Sequence, residues 1–531
     1  MRTARALILA TLLLLTPLSL LATPATAADT SVNADTTWSG AVVLTGNVTV
    51  MNGSTLTLAP GTTVDGGDGY WIRVEGTLSA SNSDFFSSQV PLTSGSHGAG
   101  LWTGIYVTNK GHAILSEVTI ENAKTATKVE GYLSANKVTI KDSYIGINVI
   151  GSADITSLTA QHIDYEVLRN SGSLSFSSGT FTDIAGGLWS TGTSVVDTLT
   201  LSQAGTGLRS TSGTLSATGI GFIDTTVAIA SQQGASTTVD SITASNVALF
   251  IDAADSDDLT VSSAAVSGQR LLLANGANSF TVSDVDFEGS LSQPLAVVDQ
   301  RCTGTCSWNN IEVTNATNGF LLSGQGNHSI SSLDLSVIER GIEGTGDGHV
   351  LLNFVNLTAG TTGIEMRDPD STFNDVSIEM TSNDSTAFDL LDGDHQWSTV
   401  SASKTYSAQD TTSIGLAAWY ADITATTFSL LHFGNGILAN HADITGASFS
   451  VQDGKGIGIT LEHSSLSMDS LDTRVYPEGV LLDKTSHLHV SDWTAETHAT
   501  PLSISTTSTA TIRNFQPLNT QASSSDALGD G

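Results

Sequence analysis

The chain has 531 residues, with 19 Lys and Arg against 52 Asp and Glu, for a net charge of −33. Such a surface repels DNA, RNA and anionic membranes, which excludes nucleic acid as a partner class. Charged residues are only 13% of the sequence against 39% apolar, and the apolar residues alternate regularly, which excludes an acidic disordered tail.

The chain opens with Arg2 and Arg5, an apolar run from Ala6 to Ala22, and small residues ending Ala25-Thr26-Ala27. This is the pattern of a secretory signal peptide over residues 1–27, cleaved after Ala27. The expected localisation is therefore secreted or cell surface. No other stretch is apolar enough to predict a membrane span in the mature chain.

Residues 28–104 read as an N-terminal cap and the first coils of a repeat, with Trp38–Val50 as the cover of an otherwise open strand edge. Gly46–Val50, Gly53–Leu58, Pro60–Val64, Val74–Leu78 and Leu101–Ile105 are short alternating runs punctuated by Gly. Together they resemble the opening coils of secreted right-handed β-helix proteins of the pectate-lyase-like superfamily, in its surface-protein branch. The resemblance implies the fold, a structural role for Trp102, and little about function, since that superfamily holds lyases, hydrolases, adhesins and structural proteins.

From 105 to 515 a Gly followed by an aliphatic or aromatic residue recurs about every 22 residues, as at Gly146-Ile147, Gly319-Phe320, Gly341-Ile342, Gly363-Ile364, Gly436-Ile437 and Gly458-Ile459. A unit of that size cannot bury its own apolar face and must stack on its neighbours. Short strands such as Val118–Ile120 and Val376–Ile378 begin at the same interval. Their alternation marks half-buried strands, and no helical periodicity competes with it. Four residues past those starts stands a polar residue: Asn122, Asp142, His162, Gln203, Asp224, Asn246 and Asn315. A recurring Asn or Asp at a fixed offset is what a left-handed turn requires. The predicted fold class is all-β: a right-handed parallel β-helix solenoid of about 20 coils, forming a rod on the order of 100 Å long. Residues 516–531 read as a flexible C-terminal linker, leading to further chain beyond Gly531.

Cys302 and Cys306 are the only cysteines. In an exported chain so close a pair reads as a small disulfide loop pinning a turn, and no other soft ligands stand near for a metal.

In a solenoid, residues one repeat apart become neighbours, so chemistry is sought in columns. Glu343, Glu365 and Asp389 share one offset, and the turns after them carry Asp347, Asp368, Asp370, Asp392 and Asp394. Eight carboxylates on adjacent coils suit Ca²⁺, with solvated turn acids as the plainer alternative. Arg340 and Arg367 are the basic residues beside them, Arg340 following Glu339. Lyases of the superfamily that the chain resembles use a basic residue near an acidic Ca²⁺ cleft, so the resemblance would make Arg340 or Arg367 the base. The acid motifs of its pectin-hydrolase branch are not present together. His441 and His463, 22 residues apart, are expected to stack. Trp397, Trp419 and Tyr420 are candidates for stacking on sugar rings. The leading expectation is a non-catalytic surface or extracellular protein for adhesion, glycan binding or structural display. The alternative is a Ca²⁺-assisted polysaccharide lyase or glycoside hydrolase.

Overall fold

The computed structural model describes residues 25–27, 29–88, 101–291, 296–405, 407, 409–496 and 498–518. Nearly all of the signal-peptide segment and the linker beyond Leu518 lie outside these residues. Every strand pairs in parallel with its equivalent one coil away, which builds a right-handed β-solenoid of about 21 turns.

Alternation along each strand decides which side chains enter the rod. In Asn327–Val337, His328, Ile330, Leu333 and Leu335 are buried while the residues between them face outward or lie half-exposed. Stacking converts each inward position into a ladder. Ile342, Ile364, Phe388, Leu416, Ile437, Ile459 and Val480 lie in register on successive coils, all buried. Each coil thus covers the apolar face that its neighbour leaves open.

The glycine that marks the repeat precedes this ladder, and its cause is close approach. A Cβ on Gly341 would lie 2.4 Å from the Gly363 carbonyl oxygen and 2.5 Å from Leu357 Cδ2. On Gly436 it would lie 2.2 Å from the Gly458 carbonyl oxygen. No side chain fits between coils there.

The coils bend at non-glycine residues in the left-handed region. Asn122, Asp142, His162, Gln203, Asp224, Asn246 and Asn315 all have φ between 49° and 58°, as their offset predicts, and Asp183 joins them. Side-chain hydrogen bonds link the column: Asn246 Nδ2 donates to Asp224 Oδ1 at 2.6 Å. A second left-handed corner precedes the strand starts, at Ser241, Ser263, Asp284, Asn310, Ser332, Phe354 and Asp375.

Two boundaries differ from the sequence reading, the cover and the linker. Trp38–Val50 is coil, not cover: Val48–Val50 pairs with Thr30–Val32 on one side and with Ile72–Val74 on the other. Ala25–Ala27, ahead of the expected cleavage point, pairs with Val42–Leu44. The last strand, Thr509–Leu518, runs into the segment read as linker. Cys302 and Cys306 form the expected disulfide, both fully buried.

Candidate functional site

The acidic column forms as its spacing implies. Glu343, Glu365 and Asp389 lie in register on three consecutive coils. Like charges stacked at about 4.8 Å need a counter-charge, and the two arginines supply it. Arg340 Nη1 lies 3.3 Å from Glu343 and 3.7 Å from Glu365. The Arg367 Nε donates to Glu365, and its Nη2 lies 3.7 Å from Asp389. Arg340 therefore pairs across the column and not with the preceding Glu339. Burial works to lower the pKa of Arg367, but Glu365, Asp389 and Glu343 outweigh it and move that pKa up. Asp389 moves up as well, through burial and then the charge of Glu365, with Arg367 opposing.

The five turn acids do not join that column. Asp368 and Asp392 occupy a left-handed corner. Asp370 lies one coil from Asp394, whose backbone N–H donates to Asp370 Oδ1 at 2.9 Å. Asp347 stands exposed on the coil before. Among the described residues no group of three or more His, Cys, Asp or Glu side chains is arranged to hold a metal ion.

The aromatic candidates divide. Trp397 is 3% exposed and packs in the core, its ring 5.6 Å from Phe373 and 5.2 Å from Phe428. It is a core residue, which removes it from any sugar-binding surface. Its inward position follows from register: it pairs with Phe373 and Ala425, not with Trp419. Trp419 and Tyr420 are 40% and 58% exposed. Tyr420 begins a stack along the rod: its ring lies 4.9 Å from His441, which lies 4.7 Å from His463. All three stand at left-handed corner positions, which aligns them one per coil. Beside them Glu462 accepts from Asn440 Nδ2 and pairs with Lys484.

Sequence reasoning missed one outward column. Arg73, Tyr106, Lys128, Asn148, Arg169, Trp189 and Arg209 occupy successive coils at one register position. Cations cover the aromatic rings: Arg73 and Lys128 lie 5.3 and 4.5 Å from the Tyr106 centroid, and Arg169 and Arg209 lie 4.4 and 5.5 Å from that of Trp189. Further along, the same column carries Asp252, Asp299, Glu343, Glu365 and Asp389. One flank of a strongly acidic rod is thus basic and aromatic toward its N-terminal half and acidic toward the other. A signal existed in the sequence: these positions sit one coil apart, two residues past the inward glycine or its equivalent.

Next to this column stands Glu166, almost fully buried. Burial pushes its carboxyl up to about 7, against the lowering effect of Arg169 and Arg209. No protein-family model matches the chain, and no curated protein is detectably similar to it.

Proposed function

We propose that the chain is an exported, non-catalytic surface or extracellular rod that binds neutral glycans along its flank. The observation that carries this reading is the exposed ladder of Tyr420, His441 and His463, with exposed Trp419 beside Tyr420 on the same coil. The stacked faces meet one another, so an extended polymer is offered a row of ring edges, with the Trp419 ring exposed beside them. The arginines near the acidic column support a non-catalytic reading too. A guanidinium paired with carboxylates is a poor proton acceptor, and those acids are engaged with it. The disulfide agrees with an oxidising compartment.

The test is a panel of neutral and acidic polysaccharides incubated with the mature protein, with and without Ca²⁺, read for both retention and chain length. Retention of a neutral polymer without shortening is expected, weakened about thirtyfold or more by Trp419→Ala with Tyr420→Ala, taking each ring at the roughly 1–3 kcal/mol of a base stacked on an aromatic side chain. Shortening of any polymer that Arg340→Ala or Arg367→Ala abolishes would replace this reading with the Ca²⁺-assisted lyase or hydrolase.

A further inference from the structure

Tyr144 and Tyr165 are exposed and stacked, 5.5 Å apart and within 7° of parallel. The stack ends at Tyr165 because the next coil carries Ala185 and Gly186 in its place, Gly186 pairing with Glu166 and then with Thr206. The missing side chains leave a cavity of about 160 Å³ lined by Tyr165, Glu166, Gly186, Trp189, Thr206 and Arg209. A Cβ on Gly186 would already come within 3.2 Å of Glu166 Cγ.

Two polar atoms here lack partners among the described residues. Glu166 is 8% exposed and its Oε2 is buried without a hydrogen bond. The Nε of Arg209 is likewise buried and unbonded, although its Nη2 reaches Gln232 Oε1 at 3.4 Å. Buried polar groups are ordinarily satisfied, so an acceptor and a donor left open beside one cavity call for a ligand that answers both. No ion pair closes between Glu166 and either flanking arginine among the described residues, yet the frame is firm. Trp189 donates to Thr211 Oγ1 at 3.0 Å and is held between Arg169 and Arg209.

The chemistry selects the ligand class. A carboxylate asks for a donor and a guanidinium N–H asks for an acceptor, and a hydroxyl is both. A cation is opposed by Arg169 and Arg209, and an anionic group, having no donor to offer, leaves Glu166 Oε2 unanswered. The volume is below the roughly 300 Å³ at which drug-sized pockets begin, so one ring enters and a chain does not. An apolar ring face can lie against Tyr165. We propose that this notch is a second binding site, for a single neutral hexose unit presented by a glycan, with Glu166 accepting and Arg209 donating hydrogen bonds to its hydroxyls. This rests on the glycan reading of the rod but uses none of the residues of the Trp419 flank, so failure of either site is read separately.

The experiment is saturation-transfer NMR and calorimetry on the full chain with glucose, galactose, mannose and N-acetylglucosamine, and galacturonate as the anionic control. At least one neutral hexose is expected to bind and to shift the Trp189 indole N–H resonance. Arg209→Met should weaken it roughly tenfold or more, because Glu166 then has no counterpart across the ligand. Gly186→Val, which fills the notch, should abolish it. The Trp189 resonance reports the notch alone, because the Trp419 flank lies on other coils. Gly186 lies close to its neighbours, so Arg209→Met decides if the valine variant fails to fold. An unchanged hexose-induced shift of the Trp189 resonance in Arg209→Met, or no neutral hexose shifting that resonance, would overturn the notch whatever the Trp419 flank does.

Discussion

At the scale of single residues, the corners of this rod show where local conformation and side-chain type agree and where they do not. Asn, Asp and Ser fill most left-handed positions because a short polar side chain tolerates that region. Phe354 does not fit: it has φ of 54° and is 62% exposed, between Ser332 and Asp375 at the same corner. An exposed ring gains nothing there from packing, so Phe354→Asn should raise stability by about 1 kcal/mol in urea unfolding. Glu166 is the second residue whose chemistry its surroundings decide. Its carboxyl ionises near 4.5 unfolded and at about 7 folded, because burial outweighs Arg169 on its own strand and Arg209 two coils on. A raised acid binds more protons in the folded state between those values, so its contribution to stability is fullest below about 4.5 and falls as pH rises through 7. Glu166→Gln should remove that fall, worth roughly 3 kcal/mol at pH 8 and nothing at pH 4. Hydrogen exchange of the coils around residues 145–210 is the check, since a solenoid opens locally.

At the scale of elements, the coil tolerates insertion where polar groups are fully paired. Val400 and Phe428 are in register but 28 residues apart in sequence, longer than the usual repeat. The extra chain turns back through a buried pair, Lys404 Nζ to Asp410 at 2.7 Å, with both side chains at most 2% exposed. Lys404 also donates to Asn383 Oδ1. Burial raises the Asp410 pKa, but hydrogen bonds from Lys404, Ser413 and Thr412 outweigh it and hold it near about 2. Lys404→Met would leave a buried carboxylate without its cation and should cost about 3–5 kcal/mol, measured as lost protection of this coil. Adding Asp410→Leu should restore most of it, because a matched apolar pair is often as stable as the ion pair it replaces. The repeat period was legible in the Gly-aliphatic marker because close approach excludes a Cβ at Gly341 and Gly436 alike. The orientation of Trp397 was not, since a shift of one residue carries a side chain from wall to core.

At the scale of the whole molecule, stacking turns spacing along the chain into columns along the rod. The acidic triplet was visible because Glu343 and Glu365 follow a marker glycine by two residues and Asp389 follows Ala387, which holds the same position, by two. That Arg340 and Arg367 neutralise it was not, because ion pairing depends on which way long side chains turn between coils. The basic and aromatic column from Arg73 to Arg209 escaped for a different reason. Its residues are of mixed type and surrounded by Ser and Thr, so no motif announces them until register aligns them. By itself the sequence determined the architecture: the period, the alternation and the polar corner residues are local requirements repeated at every coil. Only the tertiary structure decided which side chains stay exposed, which charges cancel and which polar atoms are left open beside a cavity. Those outcomes depend on neighbours one coil away, about 20 or more residues distant along the chain, brought within about 5 Å by stacking.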